Sequence, residues 1–166
     1  MVRALTSRLK VRAEEVPDRV SALQEELRAA SKEVSELRSR LALLKAEAMV
    51  GQAEESTSGR KVLVGRLDDG VDAASLQAAA VSLQQRLGAG AAVFLASVPE
   101  PGKVSLVAAL GDEVVKAGAK AGQLVGEVAK VCGGGGGGKP NLAAAGGKDP
   151  TKVTEALELA RARLLA

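Results

Sequence analysis

A run of six glycines at residues 133–138 is the feature that most limits how this chain can fold. It lies within the stretch VCGGGGGGKPNLAAAGG, residues 131–147, in which eight of seventeen residues are glycine. Glycine loses more backbone freedom on folding than any other residue, and it brings no side chain to a core. An ordered state of this segment must therefore depend on its neighbours or on a partner.

The remaining composition excludes several classes of function. Of 166 residues, 46% are hydrophobic, but Phe94 is the one aromatic residue, so the core must be aliphatic. Proteins that bind single-stranded nucleic acid usually stack bases on aromatic rings, so any RNA binding here would rely on backbone, charge and shape. The chain has no histidine and one cysteine, Cys132. We therefore expect no metal, no cofactor and no catalytic residue, and we expect Cys132 to pack at a helix end.

Charge and hydropathy limit the possible partners and cellular compartment of the chain without fixing either. The net charge of +3 permits nucleic-acid binding without requiring it. No apolar run approaches the ~20 residues of a membrane span, so we expect no membrane association. The opening MVRALTSRLKVR has four basic residues and no acidic one. This pattern suits either an organellar presequence or an ordinary helix, so we expect a cytoplasmic or organellar (chloroplast or mitochondrial) protein that is not secreted.

The first third of the chain has a heptad pattern. From Leu9 to Ala48, apolar residues alternate at spacings of four and three, as in a coiled coil. Pro17 is tolerated in the first turn of a helix but not in its interior. We predict that residues 1–50 form a helical segment, with a short helix ending near Glu15 and a long one from Pro17 to about Met49. The predicted dimerisation seam consists of Val20, Leu23, Leu27, Val34, Leu37, Leu41 and Leu44.

The seam has two possible partners. A helix of this length could pack on its own globular domain, or it could pair with another copy or with another part of a larger assembly. Spacing alone does not decide between them.

The rest of the chain predicts a globular domain. Residues 51–60 are polar and predict a linker, and residues 61–166 form the domain. Strands are predicted at 61–67, 91–98 and 103–110, with extended chain at 141–146 and helices at 72–88, 118–132 and 149–166. We expect Asp149 or Thr151 to cap the last helix. A parallel crossover followed by a hairpin gives an α/β (α+β mixed) fold, a small mixed β-sheet with helices packed on it, preceded by a long coiled-coil-like helix.

Three interpretations of the glycine run compete. A flexible linker would be expected to adjoin further low-complexity sequence, whereas this run lies between a helix and KPNLAAAGG. A nucleotide-binding loop requires a Lys followed by Ser or Thr at the start of a helix, but Lys139 is followed by Pro140. The third interpretation is bare backbone with unobstructed N–H groups, which RNA could approach more closely than any side chain permits.

The stretch GGGGGGKPNLAAAGG resembles the signature of the DHH-associated domain in the form found at the C-terminus of alanyl-tRNA synthetases. The preceding LKVRAEEVPDRVSALQEELRAASKEVSELRSRLALLKAE is similar to the helix that leads into that domain, so the likeness covers residues 5–166. The resemblance implies a helical part that can dimerise and a globular part that holds the elbow of tRNA(Ala). Catalytic and editing domains of a parent synthetase would then be partners, and any ligase activity would belong to the longer protein.

The resemblance also implies which residues bind RNA, and this chain differs from the family at three of those positions or beside them. The family commonly has Arg, Asp and Gln where this chain has Lys139, Asn141 and Ala144, and the missing Gln removes a donor and acceptor pair from the implied RNA face. Basic residues of the long helix, such as Arg28 and Lys32, Arg38 and Lys45, would add phosphate contacts. The candidate RNA-binding residues are Lys130, Gly133, Gly134, Gly135, Gly136, Gly137, Gly138, Lys139, Pro140, Asn141, Gly146, Gly147 and Lys148. The alternative is a structural protein whose helix dimerises or docks, with vestigial RNA binding.

Overall fold

The computed structural model describes residue 6 and residues 9–166, so the part of the predicted short helix at residues 1–5, 7 and 8 lies outside the described residues. The chain divides into two units, Met1–Leu37 and Arg38–Ala166. A 3-10 turn at Ala13–Glu15 precedes helix α1, Val16–Ala48. The prediction of a long helix from Pro17 is confirmed to within one residue. Pro17 lies in the first turn, where its missing N–H costs no hydrogen bond.

Six strands form one sheet in the second unit. They are β1 (Glu54–Glu55), β2 (Lys61–Arg66), β3 (Ala91–Glu100), β4 (Lys103–Leu110), β5 (Gly135–Gly138) and β6 (Leu142–Gly147). Their order is β1-β2-β3-β4-β6-β5. Strands β2 and β3 are parallel and the other neighbours are antiparallel. The predicted mixed sheet is therefore confirmed.

Four further helices lie in this unit. They are α2 (Ala73–Leu87), α3 (Asp112–Lys116), α4 (Ala121–Val131) and α5 (Val153–Leu165), with 3-10 turns at Met49–Gln52 and Pro150–Lys152. Asp72 caps α2 by accepting a 2.7 Å hydrogen bond from the Ser75 amide. Helix α3 was not predicted. Residues 51–60, the predicted linker, include β1, which pairs with β2.

The core has two parts, one on each face of the sheet. Phe94 and Leu106 point to the face covered by α4 and α5. Leu95 and Val107, the next residues along the same strands, point to the face covered by α2 and the end of α1. Successive side chains of a strand alternate between faces, so these continuous apolar strands are buried on both sides. The second unit therefore has three layers.

The end of α1 packs on the domain through a face that excludes the heptad seam. Ala42 and Ala46 are buried, and the Ser75 hydroxyl lies 3.0 Å from that of Ser39. Leu41 and Leu44 stay 47% and 65% exposed. Packing on its own domain therefore leaves the seam residues of this segment uncovered.

Candidate nucleic-acid interface

Four of the six glycines of the run, Gly135–Gly138, form strand β5 at the edge of the sheet. Gly135 pairs with Gly146 and Gly137 with Ala144 in an antiparallel ladder with β6. The flexible-linker interpretation is therefore wrong. The expectation of wholly unobstructed N–H groups also needs correction, because one side of the strand is committed to β6 and only the outer side remains an edge.

Alternate glycines of the run differ in the space around them. A Cβ at Gly134 or Gly136 would overlap the backbone of β6, and one at Gly138 would lie 2.7 Å from Ala143 Cα. A Cβ at Gly135 or Gly137 would meet no atom within 4 Å. Packing thus requires glycine at the even positions. Nothing within the described chain requires it at positions 135 and 137.

Helix α4 supports the strand through two glycines of its own, Gly122 and Gly126. A Cβ at Gly122 would lie 2.9 Å from the Gly138 carbonyl oxygen, and one at Gly126 would lie 3.3 Å from that of Gly136. Residues four apart share one face of a helix, so these glycines let the strand backbone approach closely. The run is held in place by main-chain contact on this side.

The other side of the hairpin is an exposed surface that we call the glycine platform, formed by Gly135, Gly137, Ala144 and Gly146. All four residues are exposed. Helix α2 packs on β3 and β4, whereas α4 covers β5 and β6 from the opposite face. The Ala144 methyl is the one side chain on this surface, so a ligand could approach the backbone closely.

Three exposed lysines lie on the β5–β6 hairpin or on the helix that packs against its other face. Lys130 is in the last turn of α4, Lys139 is in the turn between β5 and β6, and Lys148 follows β6. All three are exposed, and none forms an ion pair with any described residue. Their positive charge is therefore available to an anionic partner.

The turn between β5 and β6 is fixed by backbone hydrogen bonds. The Lys139 amide donates to the Leu142 carbonyl at 3.0 Å, and the Pro140 carbonyl accepts from the Ala121 amide at 2.8 Å. The Asn141 carbonyl accepts from the Leu110 amide at 2.8 Å. The candidate residues of this turn thus lie at one end of the platform, with Lys148 at the other.

Gly147 and Cys132 have a structural relationship. Gly147 is buried, and a Cβ there would lie 2.6 Å from Cys132 Cβ. The Cys132 carbonyl accepts from the Lys148 amide at 2.8 Å, which fixes the chain after β6. Burial, followed by the nearby carboxylates of Asp149 and Glu155, raises the pKa of the Cys132 thiol. The prediction that Cys132 packs at a helix end is confirmed.

Two clefts lie at the ends of the platform. The smaller, of about 240 Å³, is lined in part by Lys120, Gly122 and Pro140. The larger, of about 600 Å³, is lined in part by Lys103 and Ser105. Lys103, Ser105 and Lys120 could not be predicted from the sequence, because only the pairing of β4 with β6 and the packing of α4 under β5 bring them to the glycines. The sequence feature that could have indicated the larger cleft is the pair of Gly-Gly dipeptides at 134–135 and 146–147, which line it.

The basic residues expected along the long helix are partly engaged. Lys45 forms an ion pair with Asp68, and the Arg38 guanidinium lies against Gly70. Within the second unit, Lys45 and Arg38 therefore make contacts that stabilise the packing of α1 on the domain.

The predicted dimerisation seam is largely exposed. Leu23 is half-buried, whereas Val20, Leu27, Val34, Leu37, Leu41 and Leu44 are between 39% and 71% exposed. The described residues contain no group of three or more His, Cys, Asp or Glu able to hold a metal. No helix among them has the length and apolar content that a bilayer crossing requires.

Comparison with known proteins identifies the family. The DHHA1 domain model matches residues 59–166. The chain is 53% identical over 160 residues to the alanine–tRNA ligase of Synechococcus elongatus, covering 96% of this chain and 18% of that protein. It is also 53% identical over 168 residues to the alanine–tRNA ligase of a Synechocystis strain, covering 100% of this chain and 19% of that protein. The chain thus spans less than a fifth of these relatives.

A solved structure matches as well. The crystal structure of the C-Ala domain from Aquifex aeolicus alanyl-tRNA synthetase is similar with a TM-score of 0.59 and 30% identity, covering 68% of this chain and 96% of that domain. The chain therefore belongs to the DHHA1 domain family, in the form found as the C-terminal domain of alanyl-tRNA synthetases.

Proposed function

We propose that this chain is a tRNA-binding module of the alanyl-tRNA synthetase type that contacts the elbow of tRNA(Ala). The observation that carries the proposal is the glycine platform, a bare main-chain surface with Lys139 and Lys148 at its ends, neither of which pairs with a described residue. In a larger synthetase the module would support aminoacylation and editing by holding the tRNA body. Catalytic and editing domains would be its protein partners.

The division of the glycines into two kinds supports this role. Gly134, Gly136 and Gly138 are required by the fold, whereas Gly135 and Gly137 have open space beside them. A strand interior gains stability from side chains and loses it with glycine. Glycine at two positions where larger residues fit is the composition expected of a surface that another backbone must approach closely.

Lysines that form no ion pair with a described residue suit the same ligand. Each lysine that neutralises a phosphate releases counterions, so binding gains free energy and becomes dependent on salt. Lys130, Lys139 and Lys148 are spread around the hairpin rather than gathered at one point. This spacing suits several phosphates of a folded RNA better than a single small anion.

The direct test is a titration of the chain with three nucleic acids at two salt concentrations. They are tRNA(Ala), a tRNA(Ala) variant whose elbow tertiary pairs are disrupted, and a DNA duplex of similar charge. We expect the intact tRNA to bind most tightly at both salt concentrations. Equal affinity for all three would contradict recognition of the elbow.

A second role, dimerisation or docking through the long helix, is favoured by a separate observation. The end of α1 uses Ala42 and Ala46 to pack on the domain, which leaves Leu41 and Leu44 exposed. Exposed leucines at heptad spacing are the signature of a helix that pairs with another helix. The two roles are compatible, since a homodimer would present two RNA-binding surfaces. In the alternative, the helix alone is functional and RNA binding is vestigial.

A further inference from the structure

We propose that the larger cleft at the end of the glycine platform holds one unpaired nucleotide of the bound RNA. This inference rests on the proposed function and adds to it a defined subsite. The cleft, which we call the hairpin cleft, lies between the turn of the β3–β4 hairpin and the ends of β5 and β6. Its principal lining residues are Pro99, Lys103, Ser105, Gly135, Gly146 and Lys148.

The dimensions and walls of the hairpin cleft suit a planar base. Its volume of about 600 Å³ falls within the range of pockets that hold small molecules. A Cβ at Gly135 would meet no atom within 4 Å, and one at Gly146 would meet only the Val104 carbonyl oxygen at 3.8 Å. The glycine side of the cleft is therefore flat main chain, against which a base can lie, and Pro99 also lines the cleft.

Ser105 provides an unused hydrogen-bonding group in the cleft. The residue is 8% exposed, yet its hydroxyl makes no hydrogen bond to any described residue. Ser97, its partner across β3 and β4, instead donates to the Val71 carbonyl at 3.0 Å. The Ser105 oxygen is open to solvent, because no fully buried side-chain nitrogen or oxygen of the described residues lacks a hydrogen bond, so a ligand in the cleft can reach it. A base edge or a ribose hydroxyl would satisfy the Ser105 hydroxyl.

The charges at the cleft favour a nucleotide over an uncharged ligand. Lys148 forms no ion pair with any described residue, so its ammonium group is available to a phosphate. Lys103 pairs with Glu100 at 2.6 Å, but both side chains are about two-thirds exposed. Exposed pairs of this kind are weak, so a phosphate can compete for Lys103. Sequence-specific RNA recognition commonly uses such unstacked nucleotides.

The first experiment is an amide NMR titration of the full chain with AMP, GMP, CMP and UMP, each compared with inorganic phosphate. We expect saturable shifts at Ser105, Gly135, Gly146 and Lys148 with at least one nucleotide, and much weaker binding of phosphate alone. Absence of saturable shifts with all four nucleotides would overturn the proposal. Equal shifts with inorganic phosphate would also overturn it, because an anion site would then suffice.

The second experiment uses two variants and a control in tRNA(Ala) binding. Gly146→Val fills the cleft and Ser105→Ala removes the hydroxyl, and each should weaken binding, the first by about tenfold. The control is Gly51→Val, since a Cβ at Gly51 would meet nothing within 4 Å and Gly51 is not among the residues that line the cleft. If the melting curve shows that Gly146→Val is misfolded, the tRNA affinity of Ser105→Ala alone tests whether the cleft binds RNA. Unchanged affinity of the folded variants, with normal wild-type binding, would refute the cleft and leave the proposed function standing.

Discussion

Gly137 of β5 pairs with Ala144 of β6, so the centre of the glycine platform carries a single methyl group. The family resemblance implies a Gln where this chain has Ala144. Ala144 is exposed, and its Cβ projects from the platform, so a longer side chain there would reach the bound RNA without disturbing the core.

We therefore expect Ala144→Gln to strengthen tRNA(Ala) binding. One added hydrogen bond contributes about 1 kcal/mol, or a roughly fivefold gain in affinity. Fluorescence anisotropy with labelled tRNA measures the change. Ala144→Leu is the matched control, since it adds similar bulk without a donor or acceptor, and it should weaken binding. A gain with both variants would mean that bulk alone, and not hydrogen bonding, is missing.

The two kinds of glycine should respond differently to alanine. Gly136→Ala would overlap Ala145 Cα and should destabilise the domain by about 2 kcal/mol, because β5 must move away from β6. Gly137→Ala should leave the melting temperature unchanged or slightly raised, since alanine restricts the unfolded chain. It should nevertheless weaken tRNA binding by about tenfold through its added methyl group. Unchanged affinity in Gly137→Ala would argue against the platform as the contact surface.

Local patterns were sufficient for the parts of the fold that rely on short-range signals. Strand β4 was predicted at 103–110, as observed, because the apolar run is bounded by turn residues on its N-terminal side. Helix α2 was predicted within one residue at each end, because Asp72 and Gly88 mark its ends. The crossover from β2 to β3 followed from the order strand, helix, strand.

The glycine strand could not be predicted from local pattern. Glycine residues carry no alternation of apolar and polar side chains, which is the main signal for a strand. β5 exists because β6 supplies its hydrogen bonds and because Gly122 and Gly126 of α4 let it approach. The sequence around Ser105 predicts only an ordinary buried strand. The cleft exists because β4 pairs with β6, which places Gly146 beside Ser105.

Salt dependence should reveal how many lysines contact phosphate. A plot of log affinity against log salt should lose about 0.9 from its slope for each of Lys130, Lys139 and Lys148 changed to Ala. Lys61→Ala is the control, because Lys61 is exposed but lies on β2, three strands from β6. It should leave both affinity and slope unchanged. Lysine variants that lower the affinity with no change in slope would contradict phosphate contact.

The heptad seam makes a prediction about oligomeric state. We expect the wild-type chain to sediment as a dimer and the combined Leu27→Ala, Leu37→Ala and Leu41→Ala variant as a folded monomer. Each truncation should cost about 2 kcal/mol of dimer stability. These leucines are 71%, 55% and 47% exposed, so the fold should survive. Glu25→Ala with Lys32→Ala is the charge-neutral control and should remain dimeric. A monomeric wild-type chain would exclude homodimerisation.

The residue after Lys148 provides a test of stability against pH. Asp149 accepts hydrogen bonds from the Thr151 hydroxyl and, at 3.0 Å, from the Thr151 amide, and so it caps the turn before α5. These bonds, with a smaller effect of Lys152, hold the pKa of Asp149 below its ordinary value of 3.8. A lowered pKa means that the folded state favours the charged form. The stabilisation is therefore present in full above pH 3.8 and is lost as the pH falls through the lower, folded-state pKa.

Thermal melting of the wild type and of Asp149→Ala checks this sign. The wild type should melt at the higher temperature near neutral pH, and the difference should shrink as the pH falls through the folded-state pKa, below which the carboxyl group is protonated in both states. Thr151→Val is the partner control, since it keeps the amide bond and removes the hydroxyl, so it should lower the melting temperature by less. A difference between wild type and Asp149→Ala that is constant with pH would show that the carboxylate charge does not stabilise the turn.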